Sequence, residues 1–283
     1  MKILLALAAV MAVMAAIKII RHERRQDSEI QKLRENVELL MAKIESASEA
    51  ESFTQNCVKT LLNGGVNYLA IGNSITLHGL CDYWWSKCGM AASEPSMDYV
   101  HIVTEEIRKY NKSVNSYAYS DFYVWEIMTH DRAEAITLLD SYLNESINII
   151  TIQLGENVLD LSTLESDYEY LLMHIKQKSP NAQIITVSDF WNKGERDNMK
   201  IKASEKCGVH IADISAIKEN PDYMCGIDSK VKGEDGEMHI VKHAGAARHP
   251  GDKGMKYIAD KIIERIDFTE LNTHKRKEHM NHE

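Results

Sequence analysis

Three short stretches carry residue types that could do chemistry together. "IGNSIT" (71–76) places Ser74 directly after an uncharged run, "LGENV" (154–158) places Asn157 after another, and "HPGDKGM" (249–255) opens on His249. A serine hydroxyl becomes a nucleophile when a base takes its proton. A histidine can take that proton and later return one to a leaving alcohol. An asparagine amide and a backbone N–H can donate to the oxyanion of a tetrahedral intermediate. Each residue alone has a plainer use. A serine after a strand caps a helix, a histidine before proline sits in a loop, and an asparagine in a glycine-rich turn serves the turn.

Whether the three meet depends on the elements that carry them. Short apolar runs at 66–72, 113–119, 147–154, 182–188 and 208–214 read as strands. Amphipathic segments separate them: "MDYVHIVTEEIRKYN", "RAEAITLLDSYLN", "STLESDYEYLLMHIKQKS", "NMKIKASEKC" and a closing "KGMKYIADKIIERI". Continuous apolar strands alternating with helices predict a parallel five-stranded sheet covered on both faces, an α/β domain over 66–267. In such a sheet, ligands collect outside the carboxyl ends of the strands at a topological switch point. Ser74 and Asn157 follow the first and third runs, and His249 lies between the last run and the last helix. All three are therefore expected at one sheet edge, where acyl-ester chemistry needs them.

In this order, the three blocks resemble those of the SGNH/GDSL hydrolase family. "IGNSIT" looks like its first block and implies Ser74 as nucleophile, with its backbone N–H in the oxyanion hole. "LGENV" looks like the third and implies Asn157 as oxyanion donor. "HPGDKGM" looks like the last and implies His249 as base. The resemblance covers nearly all of 66–267 and implies a flavodoxin-like three-layer α/β/α fold and a serine esterase without cofactor. "KCGMAAS" (87–93) and "DYVH" (98–101) are similar to a bacterial branch of the family. Two positions depart from its pattern. Ala246 stands where an aspartate usually orients the histidine, which leaves a backbone carbonyl, Asp252 or Glu237 to do so. "YSDFYVWE" (119–126) lacks the second block's glycine, which leaves the backbone N–H of Ser120 or Asp121 as the further oxyanion donor.

The substrate expected from the resemblance is a small acyl ester, such as an acetyl group on a carbohydrate. An acyltransferase to a glycan would use the same residues, and Ala246 keeps open a catalytically silent membrane-anchored scaffold. Tyr83, Trp84, Trp85 and Trp125 fall in loops expected near the same edge, where aromatics stack on sugars or line an acyl pocket, or simply pack the domain. Asp213, at the end of the fifth run, is open between a structural and a site role. Six histidines lie between His239 and His282 without a metal-ligand spacing, and no metal is expected.

The N-terminus is a different material. Residues 3–17, "ILLALAAVMAVMAAI", are uncharged, and Ile19 and Ile20 extend the run past Lys18 to about the minimum for a membrane span. A cleavable signal peptide competes, with Val13-Met14-Ala15 as its small-residue site. The trailing "RHERR" favours an uncleaved single-pass anchor over 1–20 in the cell membrane, with the side of the catalytic domain open. In the segment 21–62, Ile30, Leu33, Val37, Leu40 and Ile44 alternate spacings of three and four, the seam of a short coiled coil. Such a stalk either self-associates into a homo-oligomer or packs on the domain it carries. "NTHKRKEHMNHE" belongs to an expected polar tail over 268–283. Of 283 residues, 33 are Lys or Arg and 42 Asp or Glu, a net charge of −9 that argues against nucleic acid as a partner. The five cysteines form no CxxC pair, so no disulfide framework or zinc site is indicated.

Overall fold

The computed structural model describes residues 65–128, 132–191 and 194–271. The expected anchor (1–20) and stalk (21–62) lie outside the described residues. Among the described residues, no helix is long and apolar enough to cross a membrane.

All five expected strands form: β1 (Val66–Gly72), β2 (Val114–Tyr119), β3 (Ile149–Gln153), β4 (Gln183–Val187) and β5 (His210–Ala212). They pair in the order β2-β1-β3-β4-β5, every pair parallel. The chain leaves β1 to lay β2 on one side, then returns to lay β3 on the other. Between β1 and β3 is thus the switch point of a flavodoxin-like sheet, with a crevice above the strand ends.

Alternation along β1 decides the two faces. Val66, Tyr68 and Ala70 point into one core, shared with α1 (Tyr99–Tyr110) and the last helix (Asp252–Ile263). Leu69 and Ile71 point into the other, with Leu164, Tyr168, Leu171, Leu172 and Ile175 of Leu164–Lys178 and Ala203 of Glu195–Lys206. The remaining helices are α2 (Tyr123–Ile127), α3 (Arg132–Ile136) and a short one at Ala244–Ala247. In chain order, Leu164–Lys178 is α4, Glu195–Lys206 α5, Ala244–Ala247 α6 and Asp252–Ile263 α7. On α7, Met255, Ile258, Ala259 and Ile262 recur every three or four residues and are buried. Each large apolar side chain so buried contributes roughly 1.5–3 kcal/mol. Asp98 starts α1 by accepting the His101 N–H at 2.8 Å, and its second oxygen holds the Gly89 N–H at 3.1 Å.

Three details differ from expectation. The helix expected over 132–144 stops at Ile136 and tightens into a 3₁₀ turn at Thr137–Leu139. There the Thr137 hydroxyl bonds the Glu134 carbonyl at 2.7 Å, competing with the α-helical ladder. A two-stranded antiparallel hairpin, β6 (Lys230–Lys232) and β7 (Met238–Ile240), was not anticipated, because three-residue strands leave too short a pattern. The domain also continues beyond 267. Phe268 stacks on Tyr110 at 4.0 Å and Leu271 is buried in the core, so packing extends into the expected tail.

Gly72 closes β1 where the chain turns toward Ser74. A Cβ there would sit 1.9 Å from Thr76 Oγ1 and 2.6 Å from the Gln153 carbonyl of β3. Gly72→Ala is expected to cost about 1–3 kcal/mol by overpacking, read as a lower urea midpoint at unchanged m-value. Wild-type stability would show that the turn relaxes freely.

Candidate active site

The loop after β1 is pinned by Asn73, whose carbonyl accepts Thr76 N–H at 2.9 Å and whose Oδ1 accepts Ile75 N–H at 3.1 Å. This turn lifts Ser74 to a half-buried position above the sheet. His249 arrives from the segment between α6 and α7, and Ser74 Oγ lies 2.9 Å from its Nε2. Its Nδ1 lies 2.8 Å from the Gly245 carbonyl of α6. A carbonyl only accepts, so Nδ1 carries the proton and Nε2 is left bare to accept from the serine. Among the described residues no carboxylate bonds this imidazole. Ala246 is 1% exposed in the core, and Asp252 is taken by the Ser93 N–H and hydroxyl, both at 2.7 Å. Glu237 is solvent-exposed beside β7. Of the three alternatives for orienting the ring, the backbone carbonyl is the one in place.

Burial pulls the His249 imidazole down to about 4, reinforced by nearby His78 and His243 and opposed by the Gly245 hydrogen bond. The ring is therefore neutral across the physiological range. Trp191 packs edge-on against it, with ring centroids 4.8 Å apart, and its Nε1 donates to the Arg248 carbonyl at 3.2 Å.

Asn157 lies in the loop after β3, as expected, and is held by a residue the sequence did not single out. Its Nδ2 donates to Glu126 Oε2 at 2.5 Å. Glu126 Oε1 accepts the N–H groups of Gly155 at 2.5 Å and Asn157 at 3.3 Å, and Asn73 Nδ2 at 3.1 Å. Burial pushes this carboxyl up, while the four hydrogen bonds pull it back only partly. Ser120 follows β2 directly, half-buried, and its carbonyl accepts Tyr123 N–H as α2 begins. The backbone N–H groups of Ser74 and Ser120 have no acceptor among the described residues.

Two of the aromatic expectations fail. Trp84 and Trp125 are fully buried, one in each core, so neither indole has a face for a substrate. Trp125 packs against Tyr168 and beneath the Arg132 guanidinium. Trp85 is half-buried and stacks on His239 at 4.6 Å. Tyr83 is 36% exposed and stacks on His243 at 4.0 Å. Asp213 is structural: it accepts Ser215 N–H at 2.8 Å and starts a turn. Among the described residues no group of three His, Cys, Asp or Glu is placed to hold a metal ion.

Beneath the loops after β3 and β4 lies a buried ion cluster. Arg196 of α5 donates Nε to Asp189 at 2.5 Å, Nη1 to the Glu156 carbonyl at 2.5 Å and Nη2 to Glu156 Oε2 at 3.0 Å. Lys200 adds Asp189 at 2.6 Å. Glu156 in turn accepts Phe190 N–H at 2.5 Å and Trp191 N–H at 3.4 Å. Burial and repulsion from Asp189 push Glu156 up. Burial also lifts Asp189, but Lys200 and Arg196 outweigh it and hold Asp189 below the usual range. The cluster thus fixes Asn157's neighbour and Trp191, which packs on His249.

No protein-family model matches the chain, and no curated protein matches it in sequence. Among solved structures it is similar to phospholipase A1 from Streptomyces albidoflavus, at 14% identity over 71% of this chain and 100% of that one, with a TM-score of 0.46. It is also similar to an acetyl xylan esterase from Geobacillus stearothermophilus, at 15% identity over 74% and 98%, with a TM-score of 0.45. A lipase from Streptomyces rimosus shares 13% identity over 71% and 100%, with a TM-score of 0.43.

Arg196→Met removes the cation between two buried carboxylates and is expected to destabilise the domain by about 3–5 kcal/mol. Arg196→Lys should recover little, because one ammonium cannot make the guanidinium's three directed bonds. Urea midpoints of the two variants check this, and a full recovery by lysine would contradict it.

Proposed function

We propose that this chain is a serine esterase of the SGNH/GDSL type, working through an acyl-serine intermediate. The observation that carries the reading is the 2.9 Å contact from Ser74 Oγ to His249 Nε2, with Nδ1 satisfied by the Gly245 carbonyl. That arrangement sets the tautomer a general base needs. A Ser–His pair with a carbonyl behind it replaces the usual triad.

In this reading Ser74 Oγ attacks the ester carbonyl carbon as its proton passes to His249 Nε2. The carbonyl π pair moves to oxygen, where the N–H groups of Ser74 and Ser120 and the Asn157 amide receive the charge. Each such donor is worth about 3–4 kcal/mol. Collapse expels the alkoxide, which takes the proton from His249 as the alcohol. Water then repeats the sequence on the acyl-serine, returning the acid and the free hydroxyl. Burial that keeps His249 uncharged makes it available as base at neutral and mildly acidic pH, though weaker than an ordinary imidazole. The substrate is a small acyl ester, an acetyl group on a carbohydrate, and Tyr83, more exposed than Trp84, Trp85 or Trp125, would be the ring that meets a sugar. Residues 1–20 serve as membrane anchor and 21–62 as stalk, a reading supported by the uncharged run and its basic trailing flank.

A fluorophosphonate probe should label wild type at Ser74 and leave Ser74→Ala unlabelled. Correctly folded wild type that takes no label would sink the esterase reading. A second expectation follows from the sign of the His249 shift: the base loses its activity only as pH falls through the lowered value, not through 6.5. For acetyl-ester hydrolysis, kcat/KM should stay within about twofold between roughly pH 7.5 and 6. An acid limb centred near about 6.5 would show an ordinary histidine instead.

A further inference from the structure

Glu126 is a buried ionisable group that the reaction sequence above does not use. It belongs to α2, after β2, yet its carboxylate lies between the loops that follow β1 and β3. Four donors converge on it: Asn73 Nδ2, the backbone N–H groups of Gly155 and Asn157, and Asn157 Nδ2. We infer that Glu126 is the positioning residue of the oxyanion hole, fixing which way round the Asn157 amide faces the site. This inference rests on the reading of Ser74 and Asn157 given under Proposed function.

Donor and acceptor identity decides which way round the amide sits. A primary amide has nearly the same shape either way round, so packing alone does not choose between its oxygen and its nitrogen. The Asn73 amide and the backbone N–H groups of Gly155 and Asn157 already donate to Glu126, which marks its carboxylate as an acceptor. The Asn157 NH2 must therefore face Glu126, and one of its two hydrogens is used there at 2.5 Å. The other hydrogen remains to donate to an oxyanion. Turned over, the same amide would aim carbonyl lone pairs at the carboxylate and at the developing negative charge, and both contacts would be repulsive.

A glutamine in this place keeps the shape but loses the logic. It offers one acceptor oxygen and adds two donors among four converging N–H groups, so at least one N–H loses its partner. A carboxylate behind an anion-binding site is electrostatically unfavourable by itself. The four N–H donors offset part of that charge. What the carboxylate contributes is orientation, and it does so to Asn73 and Asn157 at once. Those residues follow β1 and β3, so one side chain from beyond β2 sets the spacing of three adjacent loops.

The test uses the full chain with Glu126→Gln, Asn157→Ala and the double variant on p-nitrophenyl acetate, with thermal unfolding to show each is folded. Glu126→Gln should lower kcat by about 10²-fold with KM changed less than about threefold, the signature of a lost transition-state donor. The double variant should be no slower than Asn157→Ala, because both changes remove the same donor. Additive losses, or a near wild-type kcat in Glu126→Gln, would overturn the inference. A second readout does not depend on turnover or on any variant of Glu126 folding. In wild type the Asn157 side-chain NH2, assigned by its absence in Asn157→Ala, should exchange with solvent at least about tenfold more slowly than the NH2 of an asparagine that donates to no protein group. Exchange at the free-amide rate would also overturn the inference. Failure of wild type to hydrolyse any acetyl ester would instead count against the esterase reading, leaving the NH2 exchange to decide the role of Glu126.

Discussion

The upper edge of this sheet depends on neutralising charge where water cannot reach it. Arg196 lies between Asp189 and Glu156, with Lys200 on the far oxygen of Asp189, all of them buried. In a low-dielectric interior none of these ions is tolerable alone. The arrangement that satisfies them fixes the loop after β3 to the loop after β4. The Asn157 loop and the Trp191 contact on His249 both stand on that base. Stability and site geometry are therefore one problem here, solved by the same hydrogen bonds.

The site itself is assembled from unequal parts. Ser74 and His249 meet directly, but the ring's orientation comes from main chain in place of a carboxylate. In the proposed mechanism a carboxylate would also stabilise the imidazolium formed in the transition state. The Gly245 carbonyl supplies direction and only a partial charge. The lowered affinity of His249 for a proton is consistent with that absence: burial disfavours the cation and no anion compensates. In the proposed role His249 would thus be a base left free down to mildly acidic pH, and a weaker one than an ordinary imidazole.

Much of this was legible in the residues. The strands declared themselves as apolar runs, and Ser74, Asn157 and His249 were found because each follows an element on the same side of the sheet. Glu126 could not be found that way. In "YVWEI" it is one acidic residue on a short helix, and nothing local says that its carboxylate reaches two other loops. Gly245 was equally silent, since a carbonyl oxygen is common to every position. The indoles misled for a related reason. Trp84 and Trp125 were expected in loops, yet Trp125 lies on α2 and Trp84 in a turn, and each large ring is folded inward into a core.

The main-chain partner of His249 has a further consequence. An orienting side chain can be deleted by one substitution, whereas the Gly245 carbonyl survives any replacement that keeps the chain's path. Its vulnerability is one of length. The distance from Gly245 to His249 is a fixed count of residues spanning the end of α6, so a single-residue insertion or deletion there would rotate the acceptor away. A Cβ at position 245 would meet only the tip of the exposed His243 side chain, at 2.8 Å, so that ring alone would have to shift to admit one. Sequence drift in this chain should therefore be freest in side chains around the histidine and most restricted in the spacing of the segment that carries it.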